Sequence, residues 1–178
     1  MSGSNCFDKE IKKNRIAEII LQEVLISIID DKCSVEDIAN NPEYYHYGDV
    51  RVTDKDGNSF YLDCKNDGVI HKTGNVFCET HKFFFRKPNE RHTGFMEDGL
   101  YDYLCVVDRV SQIIYILDFS VLKKIHKNYR KVSTTLEDAY CYGNVISLDE
   151  CKKKKALICK INYEEERGNY YALDVERY

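Results

Sequence analysis

The chain has 178 residues, a formal net charge of −4, 43% hydrophobic residues and 31% charged residues. That length suits one domain with a real core, and that balance excludes a disordered chain. An acidic total also excludes bulk attraction to a polyanion, so a nucleic-acid partner would have to be met by a local basic face. Residues 7–29 read as a long helix with apolar positions almost all round it, which predicts cover on most sides. Its stretch 16–29 is too short for a membrane span and carries Glu18, Gln22 and Glu23, so no membrane partner is expected. Residues 33–47 read as irregular, with a short turn of helix at 35–39. Residues 48–65 read as a β-hairpin. Val50 and Val52 alternate with Asp49 and Arg51, and Phe60, Leu62 and Cys64 alternate with Tyr61, Asp63 and Lys65, across the turn signal Asp54-Lys55-Asp56-Gly57-Asn58. A third strand is predicted at 75–80 and a polar loop with a short helix at 81–99. Strands at 103–107 and 113–117 follow, then a helix over 119–130 that Asp118 or Ser120 can cap. In the tail, 145–148, 156–161 and 170–175 read as strands. This order predicts a single α/β (α+β) domain, with a central mixed β-sheet flanked by helices, a core over residues 7–130 and a C-terminal extension over 131–178.

The eight cysteines invite a disulfide or zinc reading. No two are spaced C-x-x-C and none pairs with a histidine at finger spacing, while several lie in apolar runs where a thiol packs as a small hydrophobe. With a polar N-terminus and no signal peptide, a reduced, cytoplasmic protein is expected.

The hairpin carries the chemistry. With its turn centred on Asp56, Val52 faces Phe60 and Val50 faces Leu62, apolar against apolar. The same register sets Asp49 opposite Asp63 on the other face, with Cβ atoms about 4.5–5.5 Å apart. Lys65, two residues beyond Asp63, projects from that face too. Two carboxylates so close repel unless a cation sits between them. A hard divalent ion meets that need, since Mg²⁺ is commonly held by one or two carboxylates, water and substrate phosphate. Such an ion polarises a phosphoryl oxygen. Lys65 could orient or deprotonate the attacking water, or stabilise the charged transition state. These are the parts of a phosphodiester hydrolase. An isolated D-x-K is more often a solvated strand face; the opposed Asp49, the fitting turn and the preceding helix reverse that here.

The pattern resembles the PD-(D/E)XK nuclease superfamily, with its restriction-endonuclease-like fold, and within it the phage- or mobile-element-type members. The resemblance rests on Gly48-Asp49-Val50, on Asp63-Cys64-Lys65 after a hairpin turn, on Thr73-Gly74-Asn75-Val76-Phe77-Cys78-Glu79, and on Gly94-Phe95 followed by Tyr101-Asp102-Tyr103. It spans residues 10–130. Where the family has a proline before the first aspartate, this chain has Gly48. The resemblance implies a nuclease that depends on Mg²⁺ (or Mn²⁺) and acts on DNA through Asp49, Asp63 and Lys65, with one more acidic ligand on the first helix. Ala17-Glu18 is similar to the family's helix pattern, so Glu18 is preferred, but the helical wheel leaves Glu23 open. Glu79 on the third strand is a further candidate metal ligand or water-positioning group, with an edge-strand charge the equal alternative. His71, His81 and His92 stay out of the site, because oxygen ligands suit Mg²⁺ better.

Lys72, Lys82, Arg86 and Lys87 are the candidate nucleic-acid contacts near the site. Lys123, Lys124, Lys127, Arg130 and Lys131 form a second basic group, and the lysines at 152–155 read as a solvated face. The 14 tyrosines can stack on bases, but tyrosine is also ordinary core and rim material. Nothing resembles a helix-turn-helix or a zinc finger, so recognition of backbone, structure or ends is expected. Two rival readings are a nuclease-fold protein that binds nucleic acid without cutting, and a phage-encoded interaction protein that inhibits a host system. A homodimer and a protein partner are both compatible with the sequence.

Overall fold

The structure is a computed structural model that describes residues 4–135 and 139–178, with side chains from residue 14 onward. Helix α1 (Ser4–Ile28) leads into β1 (Ser34–Asp37), a 3₁₀ turn (Pro42–Tyr44), β2 (Val50–Thr53), β3 (Ser59–Asn66), the short α2 (Ile70–Thr73), β4 (Asn75–Phe84), β5 (Arg91–Thr93) and α3 (Phe95–Asp98). The chain continues through β6 (Tyr103–Asp108), β7 (Ile113–Asp118), α4 (Phe119–Ile125), β8 (Arg130–Thr135), β9 (Ala139–Ser147), α5 (Leu148–Lys153), β10 (Leu157–Glu166) and β11 (Asn169–Arg177). Seven strands form a mixed sheet in the order β1-β2-β3-β6-β7-β10-β11, and four form a second, antiparallel sheet in the order β5-β4-β9-β8. Within the mixed sheet β3 and β6 run parallel, and the remaining neighbours are antiparallel.

The hairpin forms for the reasons legible in its residues. The Asp54 carboxylate accepts the N–H groups of Asp56 and Asn58 and closes the turn. Val50 then pairs with Leu62 and Val52 with Phe60, the register expected from the apolar alternation. Val50, Leu62 and Cys64 are buried beneath α1, together with Cys105, Ile114 and Ile161. From α1 itself come Ala17, Ile20, Leu21 and Val24. Fully burying one such leucine stabilises the fold by about 1.5–3 kcal/mol. The opposite face of the mixed sheet is covered by α4, α5 and the second sheet, through Phe119, Leu122, Cys151, Val76 and Ile146. The molecule is therefore an α+β protein with a mixed sheet flanked by helices.

Several elements differ from the sequence reading. The outer flank of α1 is open, with Ile26 59% exposed, because the sheet lies on one side of the helix. Residues 34–37 form a strand, not a helical turn. That strand is held by main-chain pairing with β2, and of its side chains Val35 packs against the core. The strand expected third in the mixed sheet runs on to Phe84 and belongs to the second sheet. Part of the expected 81–99 loop is thus strand. The helix expected over 119–130 stops at Ile125 and tightens into a 3₁₀ turn (His126–Asn128). Residues 131–178 supply most of β8 and all of β9, β10 and β11, and Cys159, Ile161 and Tyr163 of β10 pack under α1. Among the described residues no helix is long and apolar enough to cross a membrane.

Candidate active site

Because Leu62 and Cys64 point into the core under α1, their neighbours Asp63 and Lys65 leave β3 on the other face. There Lys65 Nζ pairs with Asp63 Oδ2 at 2.7 Å, with the Asp63 side chain 11% exposed and that of Lys65 40% exposed. The Phe95 ring lies 5.4 Å from Lys65 Nζ. Phe95 can sit there because the preceding Gly94 packs on Glu79, where a Cβ would stand 2.6 Å from the Glu79 carbonyl oxygen.

Asp49 enters from the foot of β2. Its N–H donates to the Leu62 carbonyl at 2.8 Å, and its Oδ2 accepts the Cys64 N–H at 2.7 Å. This two-point tie holds the carboxylate across the hairpin within the field of Asp63. Burial, and then the Asp63 charge, push the Asp49 carboxyl up to about 6, and Glu18 adds to the rise. Burial lowers the Lys65 ammonium, but the charges of Asp63 and Asp49 outweigh it and raise the pKa above its ordinary value. Lys65 is therefore a standing cation at neutral pH.

Asp63 and Lys65 open onto a cleft of about 1070 Å³ between the two sheets, lined also by Glu79, Lys82, Tyr101 and Arg130. Glu79 is buried and pairs with Lys82 at 3.6 Å. Neither Asp49 nor Glu18 lines the cleft; Glu18 is paired with Arg15 at 2.8 Å, and Arg15 also pairs with Asp37. Glu23 points elsewhere, its Oε2 accepting the Tyr170 N–H at 2.8 Å. Of the four candidate nucleic-acid contacts, Lys82 lines the cleft. Lys72, Arg86 and Lys87 are exposed outside it, and Lys87 pairs with Glu90 at 2.9 Å. From the second basic group Arg130 reaches the cleft, whereas Lys123 donates to the Gly99 carbonyl at 3.0 Å.

Asp49 and Asp63 offer carboxylate oxygens of the kind a hard divalent cation takes; the Asp49 carboxyl is raised first by burial and then by the Asp63 charge, and Glu18 is paired with Arg15. Among the described residues no group of three or more His, Cys, Asp or Glu side chains is arranged to hold a metal. The fit therefore rests on two carboxylates, a number with which Mg²⁺ is commonly held beside water and phosphate.

No family model and no curated protein matches the sequence. In structure the chain is similar to a bacterial homing endonuclease, I-Ssp6803I, at 16% identity and a TM-score of 0.47, over 78% of this chain and 76% of that chain.

Tyr101 lines the cleft although sequence reasoning did not place it there. It is 7% exposed and packs on Phe119 with ring centroids 4.0 Å apart. Burial, and then the nearby Asp63 carboxylate, raise its pKa, so the hydroxyl remains a donor. No spacing rule ties a residue ahead of β6 to a motif on β3. The link comes from the parallel pairing, which sets Asp63 beside Leu104.

The Asp49 shift has a measurable consequence for stability without divalent ions. An unfolded aspartate titrates near 3.9, so the folded protein holds the extra proton between that value and about 6. Stability then falls as pH rises through this window, by about 1–3 kcal/mol. Urea melts in EDTA between pH 4 and 7.5 check this. Asp49→Asn, whose amide oxygen can still accept the Cys64 N–H, flattens the slope there, and an unchanged slope would sink the assignment.

Proposed function

We propose that this protein is a metal-dependent nuclease that hydrolyses phosphodiester bonds in DNA through Asp49, Asp63 and Lys65. The observation that carries the reading is an ion-paired Asp63–Lys65 that opens onto one cleft, with the buried Asp49 carboxyl behind it in the field of Asp63. Asp49 and Asp63 would hold Mg²⁺ or Mn²⁺, with Glu18 and Glu79 as the neighbouring acids, and a bound ion supplies charge neutralisation at the phosphoryl group. Asp63 fixes the Lys65 ammonium by their 2.7 Å contact. Held charged, Lys65 acts as an electrostatic stabiliser and not as a base: it meets the negative charge that builds on the non-bridging oxygens as water attacks phosphorus and the P–O bond to the leaving strand breaks. Tyr101 offers a second donor in the same wall. Lys82 and Arg130 offer charge to the flanking phosphates.

The test is an assay of plasmid, linear duplex, branched DNA and single-stranded RNA, each with Mg²⁺, Mn²⁺ or EDTA. The expected result is ion-dependent cutting of DNA. Binding without cutting of any substrate in any ion would overturn the enzymatic reading, and cutting confined to RNA would overturn the substrate.

A further inference from the structure

The outer half of the second sheet carries aromatic side chains that do not line the cleft, although Thr93 and Ser133 at the ends of one row do. Between Glu79 and His81 the pairing of β4 with β9 shifts by one residue, a bulge that re-aims the strand beyond it. Past that point two rows of side chains cross all four strands on one face. One row is Thr93, His81, Tyr142 and Ser133, and the next is Arg91, Phe83, Tyr140 and Thr135. Lys82, between His81 and Phe83, leaves on the opposite face and lines the cleft. The His81 and Tyr142 rings stack with centroids 4.9 Å apart and planes 3° from parallel. Phe83 sets its edge against both, and Phe85 meets Tyr140 at 4.8 Å. Three of these rings are open to solvent, with Phe85 42% exposed, Tyr140 50% and Tyr142 37%, while His81 and Phe83 are half-buried.

We propose that this aromatic face binds unpaired nucleotides of a DNA strand by base stacking. The proposal rests on the nuclease reading above and names the form of its substrate. The two rows contain no aliphatic side chain and no carboxylate. They offer ring faces and hydroxyls for the base, whereas the one guanidinium, Arg91, is paired with Glu97 at 2.6 Å and the Thr93 hydroxyl donates to Asp98 at 2.6 Å, so phosphate is left to the rim. Exposed rings on a four-stranded antiparallel sheet are a general platform for successive unpaired bases. The rim favours a polyanion. Lys131, on the same face beside this patch, and Arg86, next to Phe85, are exposed and have no carboxylate partner among the described residues. One strand of protein, β4, thus carries a platform on one face and a wall of the cleft on the other.

The experiment is fluorescence anisotropy in EDTA, where nothing is cut, with a labelled oligothymidine of about 12 nucleotides, the matching duplex and the matching oligouridine. The intact protein should bind the oligothymidine more tightly than the duplex. Tyr142→Ala and Phe83→Ala should each weaken that binding about ten-fold, while Tyr142→Phe, which keeps the ring, stays near the parent value. Unchanged binding in both alanine variants overturns the proposal. So does a dimer in sedimentation that Tyr142→Ala dissociates, which would assign the face to a second copy. Markedly tighter binding of the oligouridine overturns the choice of DNA. Ring-dependent binding by a protein that cuts nothing would retire the nuclease reading and leave the platform standing; cutting without ring-dependent binding would do the reverse.

Discussion

Asp63→Asn lowers the rate of plasmid cleavage by about 10²–10³-fold or more, the range seen when one preorganised transition-state contact is lost, and Lys65→Ala does the same. The two groups act as a unit. Without the Asp63 charge the Lys65 ammonium loses its 2.7 Å partner and swings free on its stem. Without Lys65 two acids face each other, and the Asp49 carboxyl, already up at about 6, rises further. The fold should survive both changes, because the side chains leave the polar face of β3 and neither truncation opens a core cavity. Cleavage and thermal melts need to be read on the same samples. Parent-like activity in either variant refutes the assignment of the site.

Gly48→Ala destabilises the protein by about 2–4 kcal/mol, in the range of buried steric conflicts added to backbone strain. Gly48 has φ +101°, and a Cβ there would stand 2.5 Å from the Leu62 carbonyl oxygen, 2.8 Å from its carbon and 2.9 Å from the Asp63 nitrogen. These are backbone atoms of the neighbouring strand and cannot turn aside. The same close approach lets the Asp49 N–H reach the Leu62 carbonyl at 2.8 Å. Prying the strands apart would therefore cost cutting as well as stability. Urea midpoints of the parent and Gly48→Ala measure the loss, and equal midpoints would show that the hairpin foot yields. Proline is confined to φ near −65°, so this backbone could not take a proline at position 48 either.

How much was legible followed from how local the cause was. The hairpin could be read because the Asp54 turn, the alternation of Val50, Val52, Phe60 and Leu62, and the pairing they produce all lie within a short stretch. The second sheet could not. Residue 83 of β4 pairs with Tyr140, far along the chain, and the bulge after Glu79 breaks the alternation that would have exposed the pattern. The strand at 34–37 was hidden for a related reason: main-chain bonds to β2 make it, and its side chains are mostly solvated. The choice between Glu18 and Glu23 stayed open because α1 serves two neighbours. Its wheel cannot say that one acid lies in the field of Asp49 while the other answers Tyr170. The positions of Lys72, Arg86 and Lys87 outside the cleft were equally out of reach, since nearness in sequence to β3 and β4 says nothing of which way a loop turns.

The contact between α1 and β11 bears on what the free margin of the mixed sheet can accept. β11 closes the mixed sheet, and the amides along its outer margin have no further strand to bond. A bare margin of that kind is a template on which another chain can add itself. Two of those amides are already taken: Tyr170 N–H donates to the Glu23 carboxylate at 2.8 Å and Ala172 N–H to the Ser27 hydroxyl at 3.1 Å. The first helix thus stands in for a missing strand, and the beginning of β11 offers an incoming segment neither free donors nor an uncharged approach. On this account Glu23 guards against accretion.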